Sequence, residues 1–298
     1  MTENAKKLIS AIAYGDITKA KKAAMPILES NTSKKDERFC KQILAKLQSE
    51  PMMMQLPENI SSFATMEDVS QTFIKRRYFL SERENAVFTE IMKADKVGGR
   101  LAEKRIRYLN ATLLHGESGT GKTTFGKYIA YELGIPFLYL DFAYLISSLL
   151  GKTGQNIQRV FDFAKRQRCV FMLDELDAIG AERNGKNDVS EISRIVITLM
   201  QSLDLLGNDI IVLAATNRYD IIDKAVKRRF TRNHEIERLR PEERLPLGKS
   251  YLEDCGYNVS ENEILRIIGT AEKQSDIENR LITYIIDRET EAYANEKG

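Results

Sequence analysis

Residues 72–238 predict an α/β domain built on a parallel sheet. Short apolar, β-rich runs at 111–115 (Ala-Thr-Leu-Leu-His), 137–142, 169–173 and 209–215 alternate with amphipathic helical stretches at 122–133, 155–167 and 189–203. That alternation fits parallel strands whose crossover helices cover both faces of the sheet. Residues 242–296 contain no comparable strand run and read as helices near 242–254, 261–272 and 275–294.

The N-terminal part follows a different pattern. Leu8, Ile9, Ile12 and Ala13 recur at helical spacing, and Gly15-Asp16 breaks the run. Ile17, Ala20, Ala24, Ile27 and Leu28 resume it, with Pro26 expected to interrupt the helix. After the turn Ser30–Ser33, the residues Phe39, Ile43, Leu44 and Leu47 give a third apolar stripe. The expected organisation is a helical module over 1–50, a linker over 51–74, an α/β core over 75–238 and a helical lid over 239–298. Met52-Met53-Met54 in the linker suits either an adaptable contact surface or docking onto the next domain.

The 298 residues are 43% hydrophobic and 30% charged, enough for a sizeable core and against wholesale disorder. A net charge of +2 gives no global basic field. Residues 1–50 hold ten Lys/Arg against six Asp/Glu, a pattern that also suits a solvated helical face. No run approaches the length of a bilayer span, so no membrane insertion is expected. The opening Met1-Thr2-Glu3-Asn4 lacks the basic and apolar regions of a signal peptide. Cys40, Cys169 and Cys255 are far apart, and His115 and His234 are the two histidines. A disulfide framework and a zinc site are therefore not expected, and the chain reads as reduced and cytoplasmic. Cys169 opens an apolar run and is expected in the core.

Residues 116–123, Gly-Glu-Ser-Gly-Thr-Gly-Lys-Thr, fit G-x-x-x-x-G-K-[ST], between an apolar run and a helical stretch. The glycines allow backbone N–H groups to turn inward on phosphate oxygens at a helix N-terminus. The expected ATP-binding residues are Gly116, Glu117, Ser118, Gly119, Thr120, Gly121, Lys122, Thr123 and Thr124, with Lys122 on the β- and γ-phosphates and Thr123 on magnesium. Val170-Phe171-Met172-Leu173 then delivers Asp174 and Glu175 to the C-terminal end of a strand, where ligands of open α/β sheets lie. Asp174 is the expected Mg2+ ligand and Glu175 the base that activates water.

At this point the residues resemble a known family. Asp174-Glu175-Leu176-Asp177-Ala178-Ile179-Gly180 resembles the Walker B segment of AAA+ ATPases, and Asn217 in Ala215-Thr216-Asn217-Arg218 resembles their sensor 1 asparagine. Asp223–Phe230, with Arg228 and Arg229, is similar to the segment that carries arginine fingers. The adjacent arginines look most like the branch of microtubule-severing and membrane-remodelling enzymes. The resemblance covers about residues 75–290. It implies a P-loop NTPase fold with a five-stranded parallel sheet in the order 5-1-4-3-2, a helical lid, and a homo-oligomeric ring, usually a hexamer. It also implies catalytic roles for Asn217, Arg228 and Arg229 beside Glu175.

Two positions depart from the family. Leu149-Leu150-Gly151 aligns with the aromatic–apolar–Gly pore loop, with Leu149 in place of the aromatic. Leucine lacks the large rigid face that grips a polypeptide, so both a pore role and ordinary packing stay open. The lid has no obvious sensor 2 arginine. Ser275-Asp276-Ile277 takes the place of the segment at the lid-helix start, with Ser275 expected on the nucleotide and Asp276 as a cap. Arg280, the nearest basic residue, reads as a surface group.

The leading functional expectation is Mg-dependent ATP hydrolysis that drives remodelling or unfolding of a protein client, recruited directly or by an adaptor through the N-terminal helices. A nucleic-acid machine such as a helicase loader is an alternative, supported by Lys75-Arg76-Arg77 with Lys104, Arg105 and Arg107. No aromatic–basic interleaving of the stacking type accompanies these cations. A nucleotide-gated scaffold is the third reading, favoured by Leu149.

Overall fold

In the computed structural model, the described residues are 2–13, 17–30, 36, 40, 43–44, 56–148, 153–179, 186–208 and 210–296. The α/β core is a sheet of six strands: β1 Ala64–Glu67, β2 Asn110–His115, β3 Phe137–Asp141, β4 Val170–Asp174, β5 Ile211–Thr216 and β6 Arg232–Glu235. Their order across the sheet is β1-β3-β4-β5-β2-β6. Strands β2 to β6 pair in parallel, and β1 pairs antiparallel to β3, with Ala64 opposite Leu140 and Glu67 opposite Phe137. The five-stranded, wholly parallel sheet expected from the sequence is thus a six-stranded mixed one.

The extra strand comes from the stretch 51–74, which the sequence marks as linker. Ala64-Thr-Met-Glu is too short to display a period, yet its side chains alternate between core and solvent. Ile60, Phe63, Met66 and Val69 are buried around it. The strand also covers the edge of β3, whose backbone groups would otherwise lie open to unwanted pairing.

Alternation along the parallel strands divides the core into two layers. Phe171 and Leu173 of β4 enter one cluster, while Val170 and Met172 enter the other. The first layer is closed by α5 Phe142–Ser148, α6 Thr153–Ala164 and α7 Lys186–Asp204, through residues such as Leu145, Phe161 and Leu199. The second is closed by α3 Glu82–Glu103 and α4 Lys122–Leu133, through Ile91, Phe125 and Ile129. Cys169 is buried, and loss of solvation pushes its thiol up to about 12, so it stays an inert neutral core group.

The sequence reading did not place α3. Its N-terminus is fixed by a capping box: the Ser81 hydroxyl accepts from the Glu84 N–H, and the Glu84 carboxylate accepts from the Ser81 N–H at 3.0 Å. At the other end of the core, α8 spans Lys224–Lys227. The lid comprises α9 Pro241–Asp254, α10 Glu261–Ile268 and α11 Gln274–Glu296, packed around Leu247, Tyr251, Ile264, Ile268 and Leu281. The segment before α3 ties lid to core: Arg77 Nε lies 2.7 Å from Asp254 Oδ2, Ser250 donates to the Arg76 carbonyl, and Arg83 pairs with Glu237 and Glu243.

At the N-terminus, α1 Glu3–Ala13 and α2 Ile17–Glu29 are in contact, and α2 runs through Pro26 without the expected interruption. Of the third stripe, Phe39 and Leu47 lie outside the described residues. No helix among the described residues is long and apolar enough to cross a membrane.

Met66 separates a core strand from a linker. It is 1% exposed. Met66→Ala should lower stability by about 2–5 kcal/mol in chemical denaturation, as burial-site truncations do. A change below about 0.5 kcal/mol, typical of an exposed position, would contradict the packing described.

Candidate functional site: a nucleotide cleft at the strand ends

The C-terminal ends of β2, β4 and β5 open onto a cleft of about 270 Å3. Ser118, Gly119, Gly121, Lys122, Thr123 and Thr124 form one wall, Asp174, Glu175 and Asn217 another, and Gln274, Ser275 and Glu278 of α11 the third. Residues nearly 160 positions apart therefore converge on one site, as expected where parallel strands end together.

Strand β2 stops at His115, and the loop after it curls into α4. Gly116, Gly119 and Gly121 have φ of 137°, 82° and 109°, angles that other residues adopt only with strain. A Cβ at Gly116 would overlap the Ile236 carbonyl, and one at Gly119 would overlap the Ser275 hydroxyl. The loop glycines thus allow both the turn and the close approach of neighbouring chain. Lys122, first residue of α4, is buried and donates to the carbonyls of Gly116 at 2.8 Å and Glu117 at 2.7 Å. Burial lowers its pKa, opposed by the Asp174 and Asp177 carboxylates. A cation held in this way is compensated by added negative charge, such as phosphate.

Thr123 Oγ1 donates to Asp174 Oδ2 at 2.7 Å, joining the helix start to the end of β4. A hydroxyl and a carboxylate meeting at the mouth of a phosphate loop are the hard oxygen donors that Mg2+ prefers. Glu175 follows with φ 53°, an uncommon conformation for a non-glycine residue, and lines the cleft. Burial first, then the carboxylates of Asp141, Asp174 and Asp177, raise its pKa. Asp177 Oδ1 accepts from Thr216 Oγ1 at 2.8 Å and from the Asn217 N–H at 3.1 Å. It thereby fixes the end of β5 relative to β4 and leaves the exposed Asn217 side chain in the cleft.

The lid closes the cleft by direct contact with the loop. The Ser275 N–H donates to the Gly119 carbonyl at 3.2 Å. Asp276 lies in the first turn of α11, with Gln274 as the first helical residue. Glu117 points to the lid: its Oε1 lies 2.6 Å from Arg238 Nη2 and its Oε2 lies 3.0 Å from Lys273 Nζ. Those two cations hold the Glu117 carboxyl below its usual range. Thr120 is buried and donates to the Glu117 carbonyl at 2.9 Å. Arg280 is exposed and donates to the Ile268 carbonyl, a helix-end contact within the lid.

Arg228 and Arg229 are not at this cleft. They lie before β6, whose Arg232 is level with Thr112 of β2, and Thr231 N–H donates to the Ala111 carbonyl. Arg228 is exposed and without an ion-pair partner among the described residues. Arg229 forks onto Asp204, Nε to Oδ1 at 3.3 Å and Nη2 to Oδ2 at 3.1 Å, and donates to the Ala225 carbonyl. Leu149, Leu150 and Gly151 lie outside the described residues. The sequence reading gave no role to Asp141, Asp177, Arg238, Lys273, Gln274 or Glu278. Of these, only Asp177 carried a signal, as a third acid two residues after Glu175.

Comparison with known proteins gives a consistent result. Residues 112–238 match the ATPase family associated with various cellular activities (AAA). An uncharacterised AAA family ATPase of Sinorhizobium fredii is 27% identical over 234 residues, covering 76% of this chain and 70% of that protein. A proteasome-activating nucleotidase of Methanoculleus marisnigri is 34% identical over 164 residues, 52% of this chain and 40% of its own. An ATP-dependent zinc metalloprotease FtsH of Mycoplasmoides gallisepticum is 32% identical over 163 residues, 52% of this chain and 21% of its own. The chain thus spans less than half the length of the last two. With the phosphate loop, the paired acids and the lid assembled around one cleft, residues 112–238 match an AAA ATPase domain, and that match supports ATP hydrolysis by this domain.

Proposed function

We propose that the ATPase works as a ring, a hexamer by family resemblance, and uses ATP hydrolysis to remodel or unfold a protein client. The observation that carries this reading is the position of Arg228. From Ala111 to Gly116 is roughly 16 Å along β2 at 3.3 Å per residue. Thr231, three residues after Arg228, is held at Ala111 near the start of β2, and Arg228 is not among the residues that line its own cleft. No arginine lines the cleft among the described residues. A guanidinium that stabilises charge on the γ-phosphoryl must then come from a neighbour, and Arg228, with Arg229 beside it, is the group presented.

In this reading Lys122 and the loop N–H groups hold the phosphates, and Thr123 and Asp174 hold Mg2+. Mg2+ bound there would supply charge neutralisation for the phosphates. Glu175 accepts the proton of the attacking water, and its raised pKa makes it a better acceptor than an ordinary carboxylate. Asn217 orients that water. Ser275 and Gln274 bring the lid onto the nucleotide, so that opening and closing of the lid follow its occupancy.

The protein client is supported by two relatives whose names refer to proteasome activation and proteolysis. The division into a helical module over 1–50, a core and a lid from 239 onward fits this use, and Ile9 and Ile12 are exposed on α1 for a client or adaptor. Leu149–Gly151 are proposed to contact the client, weakly without the aromatic. The nucleic-acid alternative loses part of its support, because Lys75 pairs with Glu132 at 2.7 Å and Arg77 with Asp254.

Lys122→Ala should abolish measurable ATP binding by calorimetry, and wild-type affinity would remove Lys122 from the phosphates. Glu175→Gln should bind ATP but turn over about 10²–10⁴-fold more slowly. For the ring, Arg228→Ala/Arg229→Ala and Glu175→Gln subunits should each be inactive alone and partly active when mixed, since some interfaces then combine an intact base with intact arginines. Continued inactivity of folded, co-assembled mixtures would sink the trans assignment.

A further inference from the structure

The turn of helix that leads to the two arginines is too short to hold itself. α8 has four residues, and a single turn is not stable in water without tertiary contacts. Asp223 caps it, its carboxylate accepting from the Ala225 N–H at 2.6 Å. Val226, and Phe230 after the turn, are buried in the first layer of the core. Arg228 is the C-cap residue, and its exposed side chain has no ion-pair partner among the described residues. Its direction therefore depends on how the last residue of α8, Lys227, is held.

Lys227 is half-buried and has no carboxylate partner among the described residues. Its Nζ instead lies 3.9 Å from the centre of the Tyr219 ring, well inside the roughly 6 Å over which a ring face attracts a cation. The same ring stacks on His115, with centroids 4.4 Å apart and planes tilted by 35°. Burial, joined by the cations of Lys122 and Lys227 and opposed by Glu235, lowers the pKa of His115. At neutral pH the imidazole is thus an uncharged ring that does not compete with the ammonium for the tyrosine. One aromatic side chain contacts both the residue before the phosphate loop and the residue before Arg228.

The tyrosine is the fixed side of this contact. It opens a one-turn 3-10 segment, Tyr219–Ile221, and packs against the first core layer. Thr216 and Asn217, just before it, are tied to Asp177. A lysine beside Arg228 would also suit a phosphate directly, as a further cation. Here its ammonium is turned onto a ring of its own chain, which makes it a strut for the turn.

We propose that Tyr219 and Lys227 are positioning residues for Arg228: by holding Lys227 on its ring, Tyr219 fixes the end of α8 and the direction in which Arg228 is presented to the neighbouring copy. The role rests on the ring reading above. It acts on the reaction in the neighbour's cleft, since neither Tyr219 nor Lys227 lines the cleft of its own chain.

Mixed rings of the full chain test the direction of the effect. Copies with Glu175→Gln donate arginines but have no working cleft, and copies with Arg228→Ala/Arg229→Ala have a working cleft but donate nothing. Activity in the mixture then comes from interfaces where the first kind serves the second. Lys227→Met added to the donor copy should lower kcat about two- to fivefold, the size expected for loss of one exposed cation–ring contact, with the KM for ATP unchanged. The same change added to the copy that supplies the cleft should leave turnover at the level of the parent mixture. In the donor, Lys227→Arg and Tyr219→Phe should keep full function, because a cation and a ring remain. Tyr219→Leu should match Lys227→Met, and the two together should cost no more than either alone. Where Tyr219→Leu melts early, Lys227→Met and its rescue by Lys227→Arg carry the result. Undiminished turnover with the Lys227→Met donor would overturn the role and leave Val226, Phe230 and the Asp223 cap as sufficient. Equal losses from donor and cleft copies would reduce the contact to ordinary packing. Losses that add in the double variant would give the two residues separate roles and reject the pairing. Inactivity of the parent mixture, with both kinds folded and assembled, would instead sink the ring reading and this role with it.

Discussion

The 2.7 Å hydrogen bond from Thr123 to Asp174 is the point on which the active cleft turns. It joins the first turn of α4 to the last residue of β4, so two strands that are not neighbours in the sheet share one catalytic geometry. β5 lies between them and is tied in by Asp177, which accepts from Thr216 and the Asn217 N–H. Three strand ends are thus joined by two carboxylates that each accept a hydrogen bond from a hydroxyl. Charge-assisted hydrogen bonds of this kind are stronger than neutral ones and hold side chains in a fixed orientation.

The lid adds a second constraint of different character. Glu117, Arg238, Glu272, Lys273 and Arg244 form a surface ion-pair network between the phosphate loop and the lid. Exposed pairs of this kind contribute little to stability individually. Their value here is geometric and reversible: they favour a closed lid without fixing it. The tight backbone contact of Ser275 with Gly119 completes the closed arrangement, and it exists only because Gly119 has no side chain.

Much of this was legible in the sequence, and the omissions have physical causes. The phosphate loop and the Asp174-Glu175 pair were readable because backbone and metal chemistry demand particular residues at fixed spacing. Four of the parallel strands, β2 to β5, were readable because their apolar runs are largely buried, whereas β6, Arg-Asn-His-Glu, is half exposed and carries no such run. Strand β1 was not, since four residues cannot show a period and its identity depends on the edge of β3. Helix α3 was missed because its polar, low-contrast sequence hides a weak stripe, although Ser81 and Glu84 spell a capping box. The tie between Glu117 and Arg238 spans 121 positions, and no local pattern announces it. The same holds for Arg229, whose partner Asp204 is set by where α7 ends.

The pairing of Arg229 with Asp204 bears on how the two adjacent arginines divide their work. Arg229 is anchored at three points, two on the carboxylate and one on the Ala225 carbonyl, while Arg228 has none among the described residues. In the proposed ring, an anchored guanidinium next to an unanchored one stiffens the backbone that presents Arg228 and reduces the entropy lost on engaging a phosphate across the interface. Reaching that phosphate with both groups requires breaking the fork to Asp204 and exposing an acid at the end of α7. Use of both arginines in the proposed ring would therefore require release of Asp204 at the C-terminal end of α7. That end leads directly into Asn208, whose amide donates to the Gly98 and Ile106 carbonyls. Arg229, the end of α7 and the turn after α3 are thus joined by a run of hydrogen bonds.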